Sequence, residues 1–190
     1  MNSYKAAFLD RDGVINRKAP EGKYVTRWEE MIFLPGVALA ILTLRRAGFR
    51  IIVISNQRCV AKGLLTADDL DVLHRRMCET LAAEGAIIDA AYYCPHETHT
   101  QCTCRKPAPG LLLEAAANHQ IDLKASWMIG DSGSDIEAGR GAGCKTALLQ
   151  DGEGTPGVPA DLVATSLLEA ARQILKLQEA QLSCPSVAIS

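Results

Sequence analysis

A chain of 190 residues, 48% of them hydrophobic, is sized for one domain with a core that buries roughly two-thirds of its unfolded surface. Its 20 Lys and Arg against 22 Asp and Glu give a formal net charge of -2, which excludes both a polybasic nucleic-acid arm and an acidic solvating tail. No apolar run reaches membrane-spanning length, and MNSYKAAFLD lacks the long apolar region of a secretory signal, so the expected setting is the cytoplasm, with no membrane partner.

The first predicted strand is Lys5–Leu9. It stops at a pair of acids, Asp10 and Asp12, with Gly13 behind them. Pro35-Gly36 introduces a predicted helix over Gly36–Ala47. RIIVIS then supplies a strand at Arg50–Ile54, apolar and β-branched as in a strand covered on both faces. Thr66 reads as the N-cap of a helix over Ala67–Glu84, with Asp68 and Asp69 in its first turn. Next come a strand at Asp89–Tyr93, a helix at Pro109–His119, a strand at Ser126–Ile129, a helix at Ser134–Ala142 and a strand at Lys145–Leu149. Asp151–Pro159 is Gly/Pro-rich and reads as a loop. A last helix is expected over Leu167–Gln178 before a loose tail. There is no internal repeat. This alternation predicts an α/β fold, a doubly wound, Rossmann-like parallel sheet with helices on both faces. Residues 1–180 are expected to form a single domain, with 181–190 a disordered tail.

In such sheets ligands sit beyond the carboxyl ends of the strands. Three strand ends here carry unusual chemistry. The first gives Asp10 and Asp12, the second Ser55-Asn56-Gln57, and the fourth Asp131 with Asp135 soon after. Carboxylates at strand tips suit a hard cation such as Mg2+. Beside that cation, Asp10 has the chemistry to attack phosphorus, and Asp12 to donate and accept a proton. Ser55 and Asn56 offer a hydroxyl and a backbone N–H to phosphate oxygens. Lys106, stiffened by Pro107, offers a fixed positive charge. Taken singly, an Asp-x-Asp is a turn or a cap, SNQ is turn chemistry and a lysine is solvated surface. Their convergence at one end of a sheet is what points to phosphate chemistry.

The seven cysteines are odd in number, and three crowd into CPHETHTQCTC at 94–104. That favours metal over a disulfide framework. Cys94 with His96, and Cys102 with Cys104, are each spaced i, i+2, so each pair faces one way in an extended segment. Together they can close a tetrahedral Cys3His site for a structural Zn2+. His99 is a rival ligand that would break the pairing. The alternative is buried or free thiols with surface histidines. The loop so held ends immediately before Arg105-Lys106.

These motifs, in this order, resemble the haloacid dehalogenase superfamily of phosphohydrolases: DRDGVIN, ISN, the lysine of CRKP, and GDSGSD. The resemblance implies Asp10 as nucleophile and Asp12 as acid/base. It implies Mg2+ on Asp10, the Asp12 backbone carbonyl and Asp131, with Ser55 and Lys106 steadying the phosphoryl group. Asp135 then orients Lys106 or the metal's waters. Within the superfamily, CPH…CxCRKP is similar to heptose 1,7-bisphosphate phosphatases and histidinol-phosphate phosphatases, which share a small, nearly capless fold with a zinc loop. The stretch between Asn16 and Pro35 is then a flap. Heptose enzymes usually read NQSGIARG where this chain reads NQRCVAKG, so Cys59 is expected to reshape that loop, since glycine permits conformations cysteine resists. The added Arg58, with Lys62 or Arg105, is a candidate ligand for a second phosphate; Gln57 lies in the same substrate loop.

The resemblance implies Mg2+-dependent hydrolysis of a small phosphorylated metabolite through an aspartyl-phosphate. The expected reaction is loss of the C7 phosphate of heptose 1,7-bisphosphate, a lipopolysaccharide precursor, by a monomer. A histidinol-phosphate phosphatase is the alternative. Intact Asp10, Asp12, Lys106 and Asp131 weigh against a non-catalytic zinc-stapled module. The balanced charge weighs against a nucleic-acid 3′-phosphatase.

Overall fold

The computed structural model describes residues 3–150 and 159–182. Almost all of the loop expected at 151–159, and residues 183–190 of the tail expected at 181–190, lie outside them; 181 and 182 end the last helix instead. Among the described residues no helix is long and apolar enough to cross a membrane.

Six strands form one parallel sheet: β1 (Lys5–Leu9), β2 (Phe49–Asn56), β3 (Ala90–Cys94), β4 (Trp127–Gly130), β5 (Lys145–Leu149) and β6 (Leu162–Ala164), in the order β3-β2-β1-β4-β5-β6. The helices between and after them are α1 (Val37–Arg46), α2 (Ala67–Ala83), α3 (Gly110–His119), α4 (Gly133–Ala142) and α5 (Leu167–Leu182). The doubly wound expectation therefore holds, with two differences that matter. β2 runs on through Ser55 and Asn56, because β3 lies alongside as far as Cys94 and supplies partners, Ser55 opposite Tyr93 and Asn56 opposite Cys94. β6 went unread: three residues, with Val163 exposed between two buried neighbours, are too few for a periodic pattern.

Residue parity divides the core. Ala7, Leu9, Ile51, Val53 and Ile129 face one way and pack with α1, α2 and α5 residues such as Leu44, Met77 and Ile174. Ala6, Phe8, Ile52, Ile54 and Met128 face the other way, onto Leu112 and Ala115 of α3 and Ala138 of α4. Each large side chain so buried contributes about 1.5–3 kcal/mol. The helices start as their sequences direct. Thr66 Oγ1 accepts from Asp69 N at 3.1 Å, and Ser132 and Asp135 form a capping box on α4.

α4 lies close to the sheet because residue 139 has no side chain. A Cβ there would sit 2.6 Å from Met128 Cβ and 3.0 Å from Thr146 Cγ2, both in the strands beneath. Gly139→Ala gains helix propensity, but overpacking costs about 1–3 kcal/mol and wins. Urea denaturation of the variant is expected to show a lower midpoint; an equal or higher one would mean the helix lifts freely.

Candidate active site

β1 leads to β2 through α1 on one face, and β4 leads to β5 through α4 on the other, yet β1 and β4 are neighbours. The chain thus parts at their carboxyl ends, where a doubly wound sheet leaves a crevice. Asp10 follows the last residue of β1 and Asp131 the last of β4, and Asp10 N donates to Ile129 O at 3.0 Å.

The DRDGVIN stretch is a tight loop. Arg11 O accepts from Ile15 N at 2.8 Å and Asn16 N at 3.0 Å, and Gly13 N donates to Asn16 O at 2.7 Å. Gly13 has φ +95°, and a Cβ on it would collide with the Asp131 carboxylate. Only glycine lets these two strand ends come this close.

Lys106 is buried between carboxylates. Its Nζ lies 2.8 Å from Asp10 Oδ1 and 2.6 Å from Asp135 Oδ1, and donates to Ile54 O at 2.8 Å. Burial alone would lower its pKa, but the Asp10 and Asp135 charges outweigh that and raise it. The second Asp135 oxygen accepts from Ser132 N and Oγ, so one side chain both caps α4 and faces Lys106. Of the two roles the resemblance offered for Asp135, the geometry meets the first. Lys106 is also tied from behind, since the Asn56 amide donates to Lys106 O at 3.0 Å and accepts from Lys106 N at 3.1 Å.

Asp12 faces a different set of partners. Arg11 Nη2 donates to its Oδ1 and Oδ2 at 3.0 and 2.9 Å, Asn16 Nδ2 to Oδ1 at 2.8 Å, and Gln57 Nε2 to Oδ2 at 3.0 Å. Burial acts to raise its carboxyl, and the Arg11 charge with these donors outweighs it, so the group is held below its ordinary value. Gln57, expected at the phosphate, is occupied in holding Asp12 and Ser55 Oγ, the latter at 2.7 Å. Because Ser55 accepts there, its O–H remains to donate into the cleft, which it lines.

The residues at the strand tips fit a hard cation. Carboxylate oxygens of Asp10, Asp131 and Asp135 all lie within 4.8 Å of one another. Asp131 Oδ1 is buried with no hydrogen-bond partner among the described residues. Burial pushes Asp10 up to about 7 and raises Asp131, since their charges have too little to oppose them. Asp10 and Asp135 share Lys106, and Asp131 pairs with Lys18, so a cation here would compete with two ammonium groups for these oxygens. The Asp12 side chain is outside this group.

A cleft of about 430 Å³ opens over these groups. The segment between Asn16 and Pro35 forms one wall, as the flap expectation required, and brings Lys18, Lys23, Glu21 and Tyr24. Arg58 and Arg105 also line it; Lys62 does not, and lies 5.9 Å from the Tyr24 ring. Arg58 Nε donates to Tyr24 Oη at 2.8 Å and lies 3.6 Å from Glu97. Flap, β2 loop and cysteine loop therefore meet at one guanidinium. Cys59 has no positive φ, so the loop here does not call on a conformation that only glycine takes readily. Lys18, 2.8 Å from Asp131, and Lys23 went unread because a flap lysine has no sequence signal apart from surface.

The cysteine loop closes as a knot. Cys94 Sγ is 3.4 Å from His96 Nδ1, 3.8 Å from Cys102 Sγ and 3.2 Å from Cys104 Sγ, with His96 Nδ1 and Cys104 Sγ 3.2 Å apart. Tetrahedral zinc requires about 3.8 Å between sulfurs and about 3.5 Å between sulfur and nitrogen, near these separations. His96, not His99, belongs to the cluster. The Arg105 guanidinium donates to His96 O at 3.2 Å, which ties the knot to the cleft.

Comparison with known proteins bears on this geometry. A HAD-hydrolase-like family model matches residues 103–170. The D-glycero-beta-D-manno-heptose-1,7-bisphosphate 7-phosphatase of Rhodopseudomonas palustris is 43% identical over 73% of this chain and 79% of its own. The alpha-anomer enzyme of Mycobacterium tuberculosis is 40% identical over 85% and 87%. The crystal structure of D,D-heptose 1,7-bisphosphate phosphatase from B. bronchiseptica, complexed with magnesium and phosphate, superposes with a TM-score of 0.83 at 34% identity, covering 91% of this chain and 99% of that one. The chain belongs to the heptose-bisphosphate phosphatase family of HAD-like hydrolases. As a HAD-like phosphatase it is a phosphomonoester hydrolase, and the four motifs that suggested the family are those that meet at the β1–β4 crevice.

Asp10 and Asp131 have raised pKa values. For Asp10 the folded state keeps its proton up to about 7 while the unfolded state releases it near 3.8. This contribution to the stability of the metal-free fold is therefore present at low pH and lost as pH climbs through that window. A divalent cation competes with those protons for the same oxygens. The rise in Tm on adding MgCl2 is expected to be small near about pH 5 and larger near about pH 8. A shift that is flat across this range would exclude Asp10 and Asp131 as its ligands.

Proposed function

We propose that this phosphatase removes the C7 phosphate of D-glycero-D-manno-heptose 1,7-bisphosphate through an aspartyl-phosphate on Asp10. The observation that carries the reading is the division of labour between two carboxylates one residue apart. Asp10 faces Lys106 and the cation-fitting oxygens, and Asp12 faces a cage of donors. Asp10, Asp131 and the Asp12 backbone carbonyl would hold Mg2+, which would supply positive charge against an incoming phosphate dianion.

Asp10 Oδ1 accepts from Arg11 N at 2.8 Å as well as facing Lys106. An Asp10 carboxylate oxygen attacks phosphorus, and the bond from phosphorus to the sugar oxygen breaks. Asp12 gives that oxygen a proton. It then takes one from the water that hydrolyses the aspartyl-phosphate, which frees inorganic phosphate and restores Asp10. The donors around Asp12 keep it ionised in the resting enzyme, so it takes up its proton as the phosphate dianion binds. Ser55 Oγ, Asn56 and Lys106 meet the phosphoryl oxygens, and Asp135 keeps Lys106 aimed.

At the far end of the substrate, Arg58 and Arg105 with the flap's Lys23 favour a second phosphate. Glu21 and Tyr24 line the same cleft and are the groups that would greet the amine and imidazole of histidinol phosphate. Relatives of both anomeric types are similar to this chain. The reading includes a single domain over 1–180 acting as a monomer on a small molecule, with no nucleic-acid partner. It also includes a cytoplasmic setting, where Cys59, Cys78 and Cys144 stay unpaired thiols.

The test is phosphate release from both heptose bisphosphate anomers, a heptose monophosphate and histidinol phosphate, with Asp10→Asn as the inactive control. One charge-assisted contact is worth about 1.5–3 kcal/mol, so a heptose bisphosphate should exceed histidinol phosphate about ten- to a hundred-fold in kcat/KM. Equal efficiency on histidinol phosphate reverses the substrate assignment. An Asp10→Asn enzyme retaining about a tenth of wild-type kcat removes Asp10 as the nucleophile.

Zinc at Cys94, His96, Cys102 and Cys104 is part of the same reading, supported by the clustering of those four ligand atoms. Protein purified without chelator should carry about one zinc in a sphere of three sulfurs and one nitrogen by X-ray absorption. Cys102→Ala should lose the metal and raise KM, through the Arg105 contact to His96 O. Metal analysis that finds no zinc would falsify the site.

A further inference from the structure

Arg11 stands between the two carboxylates of the site and is completely buried, with no exposed surface. Its guanidinium is shared. Nη2 and Nε hold Asp12, Nε at 3.3 Å from Oδ1, while Nη1 lies 3.2 Å from Nε2 of His74, a buried residue of α2. A guanidinium has donors and no acceptor. The His74 nitrogen facing it is therefore an acceptor, and the imidazole is neutral with its proton on Nδ1. Burial and the Arg11 charge act in the same direction, pushing His74 down to about 3. The far side of the imidazole is set by Tyr93 of β3, edge to face at 5.5 Å between centroids.

We infer that His74 is a positioning residue for the phosphatase reaction: through Arg11 it fixes the plane of the Asp12 carboxylate against the leaving group. The inference rests on the reading of Asp12 as acid and base. Both Asp12 oxygens are cross-linked, Oδ1 to Asn16 and Arg11, Oδ2 to Gln57 and Arg11, so the carboxylate cannot turn unless the guanidinium turns. The guanidinium is in turn held on its other side by His74, where water has no access. Removing that acceptor leaves a buried N–H without a partner, and the guanidinium must rotate to find one. Asp12 rotates with it, away from the line to the leaving oxygen. His74 does not line the cleft, so its effect is on geometry alone.

The test compares two substrates of different leaving group. Heptose bisphosphate releases a basic alkoxide that needs a proton, whereas p-nitrophenyl phosphate releases a phenolate that needs little help. His74→Leu should lower kcat on the bisphosphate on the order of ten- to a hundred-fold, as misplaced catalytic groups do. Its KM should change little, and kcat on p-nitrophenyl phosphate should fall far less. His74→Gln, whose amide oxygen reaches the place of Nε2, should recover most of the loss. His74→Asn, polar but too short, should not. The Gln and Asn pair carries the comparison if the leucine variant does not fold.

Losses equal on the two substrates, or Gln and Asn variants of equal activity, overturn the inference and leave His74 a packing residue. Asp12→Asn run alongside separates the two claims. If its loss depends on leaving group and that of His74→Leu does not, this inference alone falls. If its own loss is uniform, acid catalysis by Asp12 falls and this inference with it.

Discussion

One buried ammonium organises the site. Lys106 sits between Asp10 and Asp135 with almost no access to water. Burying a charge alone is prohibitive, and so is burying either carboxylate alone. Each is tolerable only because the others are there, and the Ile54 carbonyl adds a neutral partner. These groups come from β1, the end of β2, the segment after the cysteine knot and the first turn of α4. Four pieces of chain remote in sequence are thereby required to meet at one point, and the cleft is what lies above it.

The supports of this cluster are as specific as the cluster. Asn56 takes both backbone groups of Lys106, and Arg105 reaches back to the carbonyl of His96. Since Asn56 and Cys94 are opposite one another in the sheet, the knot and the phosphate-facing end of β2 share one register. The segment that carries Lys106 is thus braced through the sheet by the loop before it. Asp12 is held differently, by neutral amides and a guanidinium, and the two environments push the pKa values of neighbouring carboxylates apart. In the proposed mechanism, that separation lets one acid serve as nucleophile and the other handle protons.

Much of this was legible in the sequence because its signals are local. β1 and β5 have the expected bounds, since each is a short apolar run with clear ends. The i, i+2 spacing of Cys94 with His96 and of Cys102 with Cys104 encodes the knot outright, and it selected His96 over His99. The illegible parts depend on tertiary contact. Ser55 and Asn56 joined β2 because β3 ran beside them. His74 carries the helical period of a core position between Leu70 and Met77, so nothing local marks its partner 63 residues away. Arg11 was readable in principle: flanked by two residues that face the cleft, it must turn the other way, into the core.

Parity in the core has a consequence for how the sheet aligns. In β1 the two faces are similar in composition, with Ala6 and Phe8 toward one helical layer and Ala7 and Leu9 toward the other. Sliding this strand by one residue could put Ala7 and Leu9 in the places of Ala6 and Phe8, an even exchange on that face, but on the other face it would put Phe8 in the place of Ala7 and Asp10 in that of Leu9. A strand with one wet face would forbid it outright. Here the polar tip adds to the penalty. A slip of one residue carries Asp10 about 3.3 Å along the strand, away from Lys106, which is left with Asp135 alone. The charges at the cleft thus also serve as an alignment mark for the central strand, and the Asp10 carboxylate tells the chain where to stop.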